Sequence, residues 1–258
     1  MTEPGTYSPD VPIEFLERAV YVPAAKTLIL ADLHLGRAAA STVDAPIDDG
    51  GDVRARLEAL IARTNPATVV IAGDLLHAFS TIPDGVDWDV TRLERAVEDA
   101  GADLVVTPGN HDSMLETVFS GRTAASYRLA DDETVVCHGH ERPTLEGDDG
   151  AKSQPQPKPK LKPKPRRYIV GHDHPALSIG GRKLPCFLYG EDVYQGADVL
   201  MLPAFTRSAA GATVNNRRGR DFQSPLVGDA DAMAPGVRDD SSASMLWFPP
   251  LGESRRLL

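Results

Sequence analysis

Five short apolar runs of this chain are each followed, within two residues, by aspartate, asparagine or histidine. The runs cover 27–30, 69–73, 104–108, 134–137 and 168–170, and the polar residues that follow them are Asp32 and His34, Asp74, Asn110 to Asp112, His138, and His172 to His174. Ligands gather at the carboxyl ends of strands in sheets with helical crossovers. We therefore expect these polar residues, which are distant along the chain, to converge on one edge of a sheet.

The same runs indicate the fold class. Further β-rich runs at 18–22, 197–202 and 244–248, with a hairpin turn at 23–26, complete the expected strands. Apolar residues with helical spacing follow at 53–61 and 90–97, and Asp89 is a plausible N-cap for the second helix. Strands that alternate with helices predict an α/β (α+β) layered fold. At 258 residues we expect a single domain spanning 1–258.

Two segments are expected to lack regular structure. Lysine and proline alternate within 147–167, which removes backbone donors and predicts an exposed, polyproline-II-like insertion. The insertion is either a cationic arm for a phosphate-bearing partner or, more simply, a solvated loop. The stretch 206–242 is rich in Gly, Ala, Asn and Asp and predicts an irregular loop. Its arginines, Arg217, Arg218 and Arg220, could contact a substrate phosphate, although ordinary solvated charge is the simpler interpretation.

Composition limits the partners and the location. The net charge is −10, and most of the lysines lie between Lys152 and Lys164, so the remaining surface is acidic. This pattern is typical of halophilic proteins and argues against broad electrostatic binding of nucleic acid. No apolar run approaches the roughly 18 residues that span a bilayer, and the start resembles no signal peptide. These features predict a cytoplasmic protein without a membrane partner. Cys137 and Cys186 form no CxxC pair and are expected to be buried apolar residues.

The donor types at the predicted site suit a particular class of metal. Carboxylate, imidazole and amide oxygen form a mixed set that fits Mn, Fe, Zn, Ni or Co. There are more donors than one tetrahedral ion needs, so two ions about 3.5 to 4 Å apart would share them. Glycines next to the polar residues, Gly73, Gly109 and Gly171, permit the tight turns that such a site requires. His77 and His140 are interpreted as loop or supporting histidines rather than as ligands.

Together these motifs resemble a known signature. The matching segments are Ala31-Asp32-Leu33-His34-Leu35-Gly36, Gly73-Asp74, Gly109-Asn110-His111-Asp112, His138-Gly139 and Gly171-His172-Asp173-His174. In this order they resemble the calcineurin-like metallophosphoesterases. The opening motif with Arg37 is similar to the small archaeal and bacterial branch related to the nuclease subunit SbcD, which includes ligase-associated phosphoesterases.

The resemblance implies a four-layer fold, in which a β-sandwich is flanked by helices and the metal site lies at the carboxyl ends of strands. It also implies a role for each matching residue. Asp32, His34 and His174 would bind one metal; Asn110, His138 and His172 would bind a second; Asp74 would bridge them; and His111, charged and oriented by Asp112, would face the scissile phosphate. Two divalent metal ions, with Mn favoured, are the expected cofactors.

The expected function is hydrolysis of a phosphate ester. We expect a phosphodiester substrate, with nucleic acid or a nucleotide as the candidate partner. A phosphomonoesterase remains an alternative because the same metal centre serves both reactions. A metal-binding scaffold without catalysis is a second alternative, but such a scaffold would be expected to lack ligands or His111, and this chain has them all.

Overall fold

Two β-sheets lie at the centre of the computed structural model, which describes residues 7–37, 49–77, 80–144, 163–239 and 241–255. The first sheet has six strands: β1 Glu14–Phe15, β2 Ala19–Val22, β3 Thr27–Leu30, β4 Thr68–Ile71, β5 Asp103–Val106 and β6 Arg122–Thr123. They lie in sequence order across the sheet. Strands β3, β4 and β5 are parallel, whereas β2 and β3 are antiparallel and joined by a 3-10 turn at Pro23–Ala25.

The second sheet contains the remaining strands. These are β7 Tyr127–Arg128, β8 Thr134–Val136, β9 Arg167–Val170, β10 Pro175–Ile179, β11 Arg182–Tyr194, β12 Ala197–Met201, β13 Ala212–Thr213, β14 Ala234–Asp239 and β15 Ser244–Trp247. Their order is β13-β10-β11-β12-β9-β8-β7, and β14 pairs with both β11 and β15. The parallel strands β8, β9 and β12 form its centre. The carboxyl ends of β8 and β9 therefore lie side by side.

Side chains alternate between the two faces of each strand, which creates the layers. Ile29 in β3 faces the second sheet, where it joins a buried cluster with Ile169 and Leu200. Its neighbours Leu28 and Leu30 face the opposite way, toward the helices. This two-residue period is what strands with both faces buried require.

The two long helices cover one outer face of the sandwich. Helix α1, Asp49–Thr64, and helix α2, Val86–Asp99, pack on the first sheet through apolar stripes that include Leu57 and Val90. The outer face of the second sheet is covered by a loop with Phe222 and by the one-turn helix α3, Leu251–Ser254. The four layers are therefore helices, sheet, sheet, and a layer of loops with one short helix. None of the helices in the described part of the chain is both long and apolar enough to cross a membrane.

Several sequence-based expectations need correction. Asp89 is not the N-cap of α2, since the helix begins at Val86 after Gly85, whose φ of 88° provides the turn. The stretch 206–242 is more ordered than expected, because it contains β13, a 3-10 turn at Gly219–Asp221 and all of β14. Pro235 and Gly236 in β14 hide that strand from pattern analysis. Most of the lysine and proline insertion, 145–162, lies outside the described residues.

Candidate metal centre

Backbone hydrogen bonds bring the polar loops together at the carboxyl ends of the central strands. The amide of Asp32, after β3, donates to Gly73 O at 3.0 Å, and the amide of His34 donates to Asp74 O at 2.9 Å. On the second sheet, the amide of Gly171 donates to His138 O at 3.0 Å. The loops of both sheets thus meet at one end of the sandwich, as the order of the motifs predicts.

One group of donors contains two carboxylates and two imidazoles. The ligand atoms of Asp32, His34, Asp74 and His174 all lie within 4.8 Å of one another. His34 Nε2 is 3.1 Å from His174 Nε2, and His174 Nε2 is 3.3 Å from Asp32 Oδ1. These are the residues that the sequence assigns to the first metal, together with the expected bridging carboxylate.

A second group lies next to the first. His138 Nε2 is 3.2 Å from Asn110 Oδ1 and 3.1 Å from His172 Nδ1. Asp74 reaches both groups, because its Oδ2 is 3.5 Å from His138 Nε2 and 3.8 Å from His34 Nε2. The seven side chains therefore form two adjoining donor sets that share one carboxylate.

The backbone at these donors adopts a conformation that side chains other than glycine rarely take. Asp32, His34, Asp74, His172 and His174 all have positive φ, between 46° and 75°. Aspartate and histidine tolerate this left-handed region better than most residues. Such backbone strain concentrates at functional sites, where the surrounding structure holds it in place.

One glycine is required by close approach rather than by its own φ. A Cβ atom on Gly109 would lie 2.1 Å from Asp74 Oδ1. Any larger residue there would push the shared carboxylate out of position. The glycine expected from the sequence at this motif thus has a direct structural reason.

The electrostatics of the two sets favour a bound cation. Burial lowers the pKa of His34 to about 3 and that of His138 to about 4, so both imidazoles are neutral near pH 7 and suited to metal binding. Burial, followed by the charge of Asp32, raises the pKa of Asp74 to about 8. Burial alone would raise the pKa of Asp32 as well, but the surrounding imidazoles, His174 foremost, hold it low. Crowded carboxylates among neutral imidazoles are a donor set that fits divalent cations.

His111 lies at the same site in an unexpected electrostatic environment. Its backbone amide donates to Asp74 Oδ1 at 2.9 Å, and its ring stacks on His77 with centroids 5.1 Å apart. Burial, with a further contribution from His77, lowers the pKa of His111 to about 4. The imidazole is therefore neutral near pH 7 without a bound anion, and the charged form that the resemblance implies for catalysis stays a prediction.

Asp112 stabilises the loop that carries Asn110 and His111. Its carboxylate accepts hydrogen bonds from the backbone amides of Gly109 at 2.8 Å, Leu76 at 2.9 Å and Leu75 at 3.3 Å. The loop after β5 is thereby tied to the loop after β4. The expected role of Asp112 in orienting the His111 ring stays a prediction.

His77 is a partly buried loop residue, as expected, and it lies close to the donor sets. Its Nδ1 lies 3.4 Å from His34 Nδ1, and His34, His77 and His111 form a further group whose nitrogen atoms lie within 4.8 Å. Its position three residues after Asp74 is the sequence signal of this proximity, since nothing else in the sequence shows that the chain turns back toward His34. His140 also lies close, with its ring 5.2 Å from that of His138.

Asp173 is a second residue that sequence reasoning missed. Its buried carboxylate accepts hydrogen bonds from Arg217 Nη1 at 3.0 Å, Ser224 N at 2.9 Å and Gln223 N at 3.1 Å. Arg217 is therefore half-buried in an ion pair rather than solvated. Arg220, in contrast, is 81% exposed, as the sequence suggests.

An open cleft of about 350 Å³ lies over the donor sets. Asp74, Asn110, His111 and His172 line it on the side of the strands. Residues 209–212 and Gln223 form another wall, and Arg37 lines the cleft as well. The donors are thus accessible to a substrate of moderate size.

Comparison with known proteins identifies the family. The family model described as Calcineurin-like phosphoesterase matches residues 25–176, more than half of the chain. The crystal structure of Pseudomonas putida nuclease MPE is similar in fold, with 22% identity over 90% of this chain and 92% of that chain and a TM-score of 0.53. The E. coli phosphoesterase YfcE matches at 15% identity over 87% of this chain and 98% of that chain, with a TM-score of 0.39. No curated protein matches the chain.

The matched range holds all seven residues of the two donor sets as well as His111 and Asp112. The fold class expected from the resemblance, a mixed α/β calcineurin-like phosphoesterase fold built on two sheets, is confirmed. The chain is accordingly a hydrolase that acts on phosphate esters, and it belongs to the calcineurin-like phosphoesterase family, whose members depend on metal ions.

Proposed function

We propose that this protein hydrolyses phosphodiester bonds with two divalent cations, and that its substrate is a nucleic acid or a nucleotide. The observation that carries the proposal is the pair of adjoining donor sets joined by Asp74. A single metal held by Asp32, His34 and His174 would not use the donor atoms of Asn110, His138 and His172, the set that adjoins it through Asp74. In hydrolytic sites with two metals, a shared carboxylate of this kind lies between the ions.

The proposal assigns the first ion to Asp32, His34 and His174 and the second to Asn110, His138 and His172. Mn is the metal we favour, because mixed nitrogen and oxygen donors without thiolate suit it, although Fe, Zn, Ni and Co fit the same donors. The chemistry that such ions supply when bound is Lewis-acid polarisation of the phosphoryl oxygens.

The remaining chemistry belongs to side chains of the cleft. His111 is held by its amide on Asp74 and by stacking on His77, so its ring can donate an N–H to a phosphoryl oxygen. A bound phosphate is an anion, which opposes the effect of burial and favours protonation of His111. His111 can then deliver a proton to the leaving oxygen, a contribution typically worth about 100-fold to 10,000-fold in rate.

A diester is favoured over a monoester by the openness of the cleft. The donor sets lie along an open cleft whose wall at 209–212 consists of small residues, so groups on both sides of a phosphate can be accommodated. Nucleic acid is the first substrate class to test, since the Pseudomonas putida protein of similar fold is a nuclease. The relation to SbcD and the ligase-associated branch stays a prediction.

The test is an activity panel with protein that has been reconstituted with Mn, at low and high salt. The panel also contains cyclic nucleotides. We expect bis-p-nitrophenyl phosphate and single-stranded DNA to be hydrolysed in preference to p-nitrophenyl phosphate. The variant Asp32→Asn, purified in parallel, controls for contaminating nucleases. Elemental analysis should give two metal ions per chain. Preference for the monoester would refute the assignment to diesters, and one ion in the active protein would refute the two-metal assignment.

A further inference from the structure

Arg37 lines the cleft directly after the first polar motif. Its amide donates to His34 O at 3.1 Å, so the residue is fixed in a turn beside one of the proposed ligands. The preceding Gly36 has a φ of 87°, and a Cβ atom there would lie 2.7 Å from Val86 Cγ2. This tight packing against the start of α2 fixes where the Arg37 side chain leaves the backbone.

The guanidinium of Arg37 differs from those of other arginines that are partly or fully buried. Arg56 pairs with Glu17 at 2.9 Å, and Arg217 pairs with Asp173 at 3.0 Å. In contrast, within residues 7–37, 49–77, 80–144, 163–239 and 241–255 no carboxylate forms an ion pair with Arg37. An arginine that lines the cleft and pairs with none of the described carboxylates is suited to an anion bound in that cleft.

The position of Arg37 decides which anion it meets. The two donor sets, joined by the buried Asp74, define where the scissile phosphate lies in the proposed function. Arg37 belongs to neither set, is only partly buried and lines the same cleft as His111. Its charge is near enough to contribute to the lowered pKa of both His77 and His111. A cation that lines the cleft but lies outside both donor sets suits the next phosphate of a strand whose scissile phosphate is held by the donor sets.

We propose that Arg37 binds a phosphate that flanks the scissile one, so that the enzyme prefers diesters within an oligonucleotide to isolated diesters. Among the described residues that line the cleft, Arg37 is the only lysine or arginine. The flanking phosphate is therefore recognised on one side of the scissile bond and not on both. This inference rests on the proposed phosphodiesterase function and adds its substrate class.

The test compares three trinucleotides: TpTpT and the two analogues in which one linkage is an uncharged methylphosphonate. Each analogue keeps one cleavable diester but lacks the flanking charge on a defined side. We expect the wild-type protein to cleave one analogue about tenfold less efficiently than TpTpT in kcat/KM, as for loss of one charged hydrogen bond. The other analogue should lose much less.

Three variants separate the role of Arg37 from general electrostatics. Arg37→Gln should abolish the discrimination between the two analogues, and Arg37→Lys should restore part of it. Arg220→Gln removes the same charge from a residue that is 81% exposed and should keep the discrimination. Equal rates for all three trinucleotides in the wild type, or discrimination that survives in Arg37→Gln, would overturn the inference.

A binding measurement keeps the inference separate from the proposed function. Fluorescence anisotropy with a labelled oligothymidylate should show at least about fivefold weaker binding by Arg37→Gln than by wild type or Arg220→Gln, as for loss of a charge-assisted contact. If no diester is hydrolysed, the proposed function fails, and the anisotropy result alone decides whether Arg37 binds the strand. If diesters are hydrolysed but Arg37→Gln binds as tightly as wild type, only the inference about Arg37 fails.

Discussion

Replacing Asp74 with asparagine should change stability in opposite directions with and without metal. In the absence of metal, the pKa of Asp74 is raised to about 8 by burial and by the charge of Asp32. An acid whose pKa is higher in the folded than in the unfolded protein destabilises the fold as pH rises between the two values. The stability of the metal-free protein should therefore fall from about pH 4 to pH 8.

The expected size follows from the same shift. Each pKa unit corresponds to about 1.4 kcal/mol, so the ionised Asp74 costs the metal-free fold on the order of 5 kcal/mol at pH 8 and much less at pH 5. The variant Asp74→Asn removes this cost, while its Oδ1 can still accept the hydrogen bond from the His111 amide. For a chain of this size, the gain corresponds to a Tm increase on the order of 10 °C at pH 8.

The assay is thermal unfolding of wild type and Asp74→Asn at pH 5 and pH 8, in EDTA and in MnCl₂. Mn at 100 times its Kd should stabilise the wild type by about 2.7 kcal/mol per site, whereas the variant, without the shared carboxylate, should gain little. Asp87→Asn, on the exposed face of α2, is the matched control. A lower Tm for Asp74→Asn than for wild type in EDTA at pH 8 would refute the reasoning.

Other perturbations test separate features. His111→Asn should retain its metal but lose at least about 100-fold in kcat on bis-p-nitrophenyl phosphate; turnover at the wild-type rate would contradict its proposed role. Asp173→Ala leaves Arg217 and the amide of Ser224 without their acceptor and should cost about 3 kcal/mol in urea unfolding. Asp173→Asn should recover part of this loss. If both variants were as stable as wild type, the hydrogen bonds to the Asp173 carboxylate would not stabilise the fold. The net charge of −10 predicts that Tm rises between 0.1 and 1 M KCl, as the Debye length falls from about 10 to 3 Å; an unchanged Tm would argue against the halophilic interpretation.

The sequence was most informative where an apolar run ends directly in a polar motif. The runs that correspond to β3, β4 and β5 agree with these strands to within two residues at each end, because Val, Ile and Leu continue almost to the point where the polar residues begin. Strand β11, Arg182–Tyr194, escaped detection because Pro185 and Gly190 interrupt its pattern. In the structure Pro185 pairs with Ala176 and Gly190 with Val199, so neighbouring strands support what local preference does not.

The candidate site shows the same division. Local motifs were enough to predict that the donors converge, since each motif follows its own strand, and the family resemblance divided them into two sets. The neighbours that change their properties come from elsewhere in the chain: Arg217 reaches Asp173 across 44 residues, and His77 reaches His34 across 43. Such contacts depend on the fold and not on local sequence. For this reason the lowered pKa of His111 beside His77 and the hydrogen bonds to the Asp173 carboxylate have no signal in the sequence.

The left-handed backbone at five of the donors also limits how this centre can be redesigned. In laboratory evolution toward another metal, Asn, Asp, His and Gly are the residues that such positions accept with the least strain. A β-branched residue at His34 or His174 would strain the local turn most. Libraries that vary these positions should consequently yield shuffled Asp, Asn and His rather than new ligand types, and a thiolate site would have to be grafted onto a different stretch of backbone.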